Sequence, residues 1–245
     1  MQRRMKRAQT DRIKFNGHDL SAIVCCKVNR PIMAPVSAVY EEIPGRHGEL
    51  FKSACLGGYD LPVDVWLRSD DRRDAATLRH LLAEMLYTEE PAPLFLPDDP
   101  TRYLMAIVSG STDLGEITDD CPSATVTFHV GDPFYYGSKR RVEAQAGRFG
   151  INAGGNRPAA LTITAHAESG VAWSIRNLDT GEKVQLDMDV AADSVVRVDM
   201  ALERATVNGH EAPVTLDSDF FEINGRMNLL LSGGSALLEW RERWL

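Results

Sequence analysis

Histidines, cysteines and carboxylates are the side chains that most often carry catalysis or hold a metal. In this chain of 245 residues their spacing is unpromising. His18, His47, His80, His129, His166 and His210 are scattered, and none belongs to an H-E-x-x-H pair. Cys25, Cys26, Cys55 and Cys121 make no C-x-x-C pair and show no metal-ligand spacing, so buried free thiols are expected. Asp98-Asp99 and Asp119-Asp120 could in principle share a proton or a calcium ion. Each pair sits beside a proline in turn-like sequence, and no D-x-D-x-D-G loop gathers oxygen ligands. No serine stands in G-x-S-x-G, and no glycine run fits a phosphate-cradling loop; Gly154-Gly155-Asn156 lacks the strand and helix that such a loop needs. Trp66, Trp173, Trp240 and Trp244 could stack on sugar rings, but Trp173 and Trp240 lie in alternating apolar segments and are expected in a core. The expectation is a chain without catalytic residues, cofactor site or metal site. An enzyme whose groups are distant in sequence would leave no motif, so a hydrolase of that kind stays open as an alternative.

Composition narrows the partners. Acidic residues number 35 and basic residues 27, a net charge of −8. Up to Gly137 there are 15 basic and 20 acidic side chains, and after it 12 and 15. Neither part is basic, so specific nucleic-acid binding through phosphate contacts is not expected. No stretch approaches the roughly 20 apolar residues that span a bilayer, so no membrane insertion is expected. The opening Met1-Gln2-Arg3-Arg4-Met5-Lys6-Arg7 is basic but no apolar segment follows it, which does not fit a secretory signal.

The elements that would position any site come next. Ile13 to Phe15 alternates before Asn16-Gly17, a strand entering a tight turn. Leu61, Val63, Val65 and Leu67 recur at period two, a strand with one face in a core. Ser69, Asp70 and Asp71 offer N-cap oxygens to a helix whose stripe is Leu78, Leu81, Leu82, Met85 and Leu86, ending at Glu89-Glu90-Pro91. Leu94 to Leu96, Tyr103 to Val108 and Ala124 to Val130 read as further strands, with turns at Asp98-Asp99-Pro100 and at Asp119-Asp120-Cys121-Pro122.

After Gly137 the helical signal disappears. Leu161-Ile163-Ala165, Val171-Trp173-Ile175, Val184-Leu186-Met188, Val196-Val198-Met200 and Leu238-Trp240 alternate. Asp179-Thr180-Gly181, Asn208-Gly209 and Gly233-Gly234 supply turn chemistry between them. The fold class expected is mainly β: an α+β N-terminal domain with one helix over 1–137, and a C-terminal β-sandwich over 138–245.

The most specific stretch is Ala124-Thr125-Val126-Thr127-Phe128-His129-Val130-Gly131-Asp132-Pro133-Phe134-Tyr135-Tyr136-Gly137. It is a strand stopped at Gly-Asp-Pro, then an aromatic cluster able to pin the domain exit against the core. This stretch resembles the end of the N-terminal domain in the distal tail proteins of phages with long, non-contractile tails. Other likenesses follow in order: Phe15-Asn16-Gly17, the loop Glu42-Ile43-Pro44-Gly45-Arg46-His47-Gly48, Leu61-Pro62-Val63-Asp64-Val65, the Leu78 to Leu86 helix, and Asp99-Pro100-Thr101-Arg102-Tyr103. In the second part Asn156-Arg157-Pro158, Asn208-Gly209 and Asn224-Gly225-Arg226-Met227-Asn228 continue the series.

The resemblance implies a homo-oligomer, a hexameric ring at the tail tip of the virion, assembled in the host cytoplasm. Its N-terminal domains would surround a channel for DNA. Its C-terminal domains, galectin-like in shape, would point outward. Implied partners are the tail tube protein, a tail-associated lysin or tip protein, and a receptor-binding protein. A galectin-type sugar site needs His, Asn, Arg and Trp close together; His166, Trp173, Arg176 and Asn177 show no such ordered spacing, so galectin-like means shape only. The alternative function is a carbohydrate-binding module that attaches to a host cell surface.

Overall fold

A computed structural model describes residues 12–69, 72–112, 122–168 and 172–245. The basic opening segment, Asp70, Asp71, Asp119-Asp120-Cys121 and Val171 lie outside the described residues. The chain divides between Tyr135 and Tyr136 into two compact units, and its secondary structure is dominated by antiparallel strands. No helix among the described residues is long and apolar enough to cross a membrane.

The first unit contains β1 (Lys14–Phe15), β2 (His18–Asp19), β3 (Val24–Val28), β4 (Val36–Glu42), β5 (Glu49–Leu56), β6 (Tyr59–Leu67), α1 (Arg72–Leu86), β7 (Ala92–Leu96), β8 (Asp99–Val108) and β9 (Ser123–Val130). Asn16 and Gly17, at φ 48 and 79, make the two-residue turn that joins β1 to β2. Strand order runs β3-β6-β9-β8-β7-β1-β2, all antiparallel. Leu61, Val63, Val65 and Leu67 point inward and are buried, as their spacing requires. Pro62 is tolerated inside β6 because β3 stops opposite Val63, so one flank of the strand is already free where the proline lacks its N–H.

The helix buries Ala75, Leu82 and Leu86, with Leu78 and Met85 packed beside them. Leu81, expected in the stripe, is instead exposed: the buried arc is narrow, and Leu81 falls at its edge. The turn expected at Asp98-Asp99-Pro100 lies one residue earlier, at Pro97-Asp98, because Asp99 already pairs with Leu96 to open β8.

The second unit contains β10 (Tyr135–Asn152), β11 (Ala159–Ala160), β12 (Thr162–His166), β13 (Ser174–Asn177), β14 (Lys183–Gln185), β15 (Val195–Asp199), β16 (Arg204–Val207), β17 (His210–Glu211), β18 (Glu222–Ile223) and β19 (Arg226–Trp244). No helix occurs among its described residues. β19 is the organiser. Leu229 to Leu231 pair with β13, which pairs with β14. Further along, Ser235 to Glu239 pair with β12, which continues through β15 and β16 to β17. Side chains from both sets meet in one core: Ile163, Val196 and Val198 from one, Ile175, Val184 and Leu229 from the other.

Gly233-Gly234 is not the turn its composition suggested. The strand runs straight through it, changing partner from β13 to β12. Gly234 has φ +74, and a Cβ there would stand 1.9 Å from the His166 carbonyl oxygen. Glycine is needed for close backbone approach, not for reversal of the chain. Asn208-Gly209 and Asp179-Thr180-Gly181 do form turns. Met188, expected on an inward face, is exposed beyond the end of β14.

Candidate assembly interface

Among the described residues, the histidines, cysteines and carboxylates singled out by type are dispersed over separate strands and turns. No group of three or more His, Cys, Asp or Glu side chains able to hold a metal exists among the described residues. His129 Nδ1 lies 2.8 Å from Asp60 Oδ1 across β9 and β6, an exposed surface pair. Asp98 holds Arg30 at 2.6 Å. Asp99 accepts from Arg102 at 2.9 Å and from Thr101 at 2.9 Å. Partial burial alone would raise the Asp99 carboxyl, but the hydrogen bonds from Arg102 and Thr101 together outweigh it and hold the group below the usual range. The cysteines are not buried as expected: Cys25 and Cys26, on β3, are half-buried, and Cys55, on the two-stranded β4–β5 sheet, is exposed.

The four residues of a hypothetical sugar site also part company. Trp173, just before β13, and Asn177, at its end, are buried, Arg176 on the same strand is exposed, and His166 is exposed on β12. Asn177 is occupied with the following turn, its Oδ1 accepting the Asp179 amide at 3.0 Å. Trp240 is also buried and donates from Nε1 to the Ala153 carbonyl at 2.7 Å. Core packing claims both tryptophans.

What the first unit does offer is an arm. β4 and β5 form a two-stranded sheet of their own. The turn at its tip, Ile43 to Gly48, uses Gly45 and Gly48 at φ 83 and 82, with the Arg46 amide donating to the Ile43 carbonyl. Its root is closed by the Gly57 amide, which donates to the Pro35 carbonyl at 2.9 Å. Directly opposed residues share a face. Val36/Leu56, Ala38/Ala54 and Tyr40/Phe51 therefore form one apolar face that ends in the pair Glu42/Glu49. The Tyr40 and Phe51 rings meet edge-on at 5.7 Å. Ser37/Cys55, Val39/Ser53 and Glu41/Leu50 occupy the other face. Lys52 is the extra residue of a bulge and pairs with Glu41 at 2.8 Å.

This arm breaks two physical rules at once. An isolated two-stranded ribbon is marginal in water, and here it leaves Tyr40 and Phe51 54% and 55% exposed. Each such ring gains on the order of 1.5–3 kcal/mol on full burial. Immediately before the arm, Ile32 stands fully exposed between Pro31 and Met33. That segment leaves an anchored root: Arg30 donates to the Tyr135 hydroxyl at 3.2 Å, lies 5.5 Å from the centre of its ring, and is held by Asp98. Tyr135, one of the aromatic residues expected to pin the domain exit, packs against the first unit's core. Its neighbour Tyr59 has its phenol pushed well above the usual range by burial, with Tyr135 adding to the effect. Sequence reasoning found the tip loop through Ile43-Pro44-Gly45 but missed the strands on either side of it. Their signal was the alternation Val36, Ala38, Tyr40, weakened by small residues.

Comparison with known proteins gives a consistent picture. Residues 15–130 match the family model of a phage tail protein RIFT-related domain, and residues 154–244 that of a siphovirus-type tail component, C-terminal domain. No curated protein matches the sequence significantly. Among solved structures, the SPP1 Dit protein, described as a paradigm of the hub adsorption apparatus in phages infecting Gram-positive hosts, aligns with a TM-score of 0.80 at 17% identity, over 96% of this chain and 99% of that one. A chain of the phage p2 baseplate, in its activated conformation with strontium, aligns with a TM-score of 0.54 at 10% identity, over 94% of this chain and 97% of that one. At such identities the likeness is one of fold.

Proposed function

Because this chain belongs to the siphovirus distal tail (Dit) proteins, we propose that it is a structural hub of a phage tail tip, a closed hexameric ring through which DNA passes. The N-terminal domain, residues 1–137, builds the ring, and the C-terminal domain, residues 138–245, faces outward. The ring joins the tail tube protein to a tail-associated lysin or tip protein and to the receptor-binding apparatus of the virion, and it is assembled in the host cytoplasm. It works by contact surfaces and performs no catalysis. The observation that carries this reading is the arm, whose apolar face is left in water in a single copy; an exposed apolar patch of this kind is the mark of an interaction surface. An excess of acidic side chains, 35 against 27 basic, suits a lumen along which DNA slides without sticking.

The test is the mass of the purified protein by light scattering coupled to gel filtration. The full chain is expected as a hexamer, and the double substitution Tyr40→Ser with Phe51→Ser as a folded monomer, since both rings are exposed in the single copy. A parent protein that stays monomeric at tens of micromolar and in the presence of its tail neighbours removes the ring.

A further inference from the structure

If copies do close into a ring, the arm of one must lie on a surface of the next, and the first unit carries a suitable one. Its exposed large hydrophobic side chains fall in two places only among the described residues. One is the arm with the loop before it, from Ile32 to Phe51. The other is the outer side of α1 and the residue after it, at Leu81 and Tyr87, the latter 72% exposed. Beside that helix runs an open groove of about 720 Å³, lined by Leu82, Ala83, Leu86, Tyr87 and Val108 together with Arg79 and His80. Among the described residues both surfaces are uncovered in the same unit, and the arm does not occupy the groove. A ridge on one face and a groove on another make a head-to-tail contact, the kind that generates rings.

Charge agrees with shape. Glu42 and Glu49 stand directly opposite each other at the end of the apolar face, and neither meets a cation among the described residues. Like charges so placed destabilise a ribbon unless something positive comes between them. Arg79, in the groove, touches only the His80 ring at 3.5 Å and meets no carboxylate among the described residues. Among the described residues, each surface thus holds an unanswered charge of opposite sign next to exposed apolar side chains. The geometry points to the α1 groove as the seat of the neighbouring copy's arm, with Tyr40 and Phe51 against Tyr87, Ala83 and the half-buried Val108, and the Glu42–Glu49 pair against Arg79. This rests on the ring reading and adds to it the receiving surface.

Two measurements on the full chain test it. In a background with Cys55→Ser, the substitutions Glu42→Cys and Arg79→Cys are combined and treated with a short bismaleimide. A ladder of covalent oligomers on a denaturing gel is expected, and neither single substitution should give it. Separately, Arg79→Glu is expected to weaken assembly about tenfold or more, as loss of a desolvated charge pair does, and Glu49→Arg in the same chain to restore it. Rings that form normally with no ladder, and with Arg79→Glu silent, overturn the groove assignment and leave the ring reading standing; the groove would then be free for a different tail protein. A parent chain that forms no ring removes both.

Discussion

At the scale of single residues, the fold depends on places where backbone approaches backbone. Gly17 and Gly234 have similar positive φ values, 79 and 74, but different surroundings. A methyl group on Gly17 would meet nothing within 4 Å, whereas on Gly234 it would lie 1.9 Å from the His166 carbonyl oxygen. Gly17→Ala should therefore cost only the left-handed conformation, about 1–2 kcal/mol. Gly234→Ala adds a clash with a backbone atom that cannot step aside, and should cost roughly 3 kcal/mol or more. Urea unfolding of both variants would show the difference, and equal midpoints would mean that the β19 crossing is looser than described. Asp179 gives a second residue-scale expectation. Its carboxylate accepts the Asn228 amide at 2.8 Å and the Asn228 side-chain Nδ2 at 3.1 Å, and these bonds hold it below the usual carboxylate range. A group depressed in the folded state stabilises fully above its unfolded value and stops doing so as pH falls through its folded one. Acidification below the ordinary aspartate range should therefore release the Asn228 amide to hydrogen exchange, and Asp179→Asn should flatten that dependence.

At the scale of elements, what the sequence disclosed depended on whether an element's surroundings were written into its own pattern. β6 was legible because Leu61, Val63, Val65 and Leu67 alternate cleanly and all four are buried. The Asn16-Gly17 turn was legible because only a few residues accept its dihedrals. The helix was legible as a helix, but Leu81 was misplaced, since periodicity marks an apolar arc without giving its width. Gly233-Gly234 was misread because composition cannot distinguish a chain reversal from a strand that passes close to another backbone. The arm escaped for a different reason. Its apolar face meets no core among the described residues, so Val36, Ala38 and Tyr40 carry no sign of what covers them. That same face ends on the opposed pair Glu42 and Glu49, from which an element-scale prediction follows. Glu42→Lys replaces a like-charge pair by an opposite one, and should make the ribbon more stable by about 0.2–1 kcal/mol. If Arg79 of the next copy is its partner, the same change should weaken the oligomer. Slower exchange of arm amides, measured alongside a lower oligomer mass, is the expected pairing of results; an arm that becomes less protected in the monomer would show that the two carboxylates were not repelling one another.

At the scale of the molecule, the two units bury separate sets of residues. The first core gathers Phe15, Leu61, Leu94, Leu104 and Phe128, and the second Trp173, Ile175, Val198, Leu229 and Leu238. Each has enough enclosed apolar side chains for a domain of its size to fold by itself. The arm belongs entirely to the first. A chain of residues 138–245 should accordingly unfold in one cooperative transition and remain monomeric at concentrations where the full protein is expected to form the proposed ring. Its emission should be mainly that of buried indole, since Trp173 and Trp240 are enclosed within that unit and Trp244 is half-buried. Gel filtration with light scattering, and thermal unfolding followed by tryptophan fluorescence, would check both points. An oligomer formed by residues 138–245 alone would move the assembling surface out of the first unit and leave the arm without its role, whereas a folded monomer would place the cohesion of the ring where the uncovered apolar surface lies.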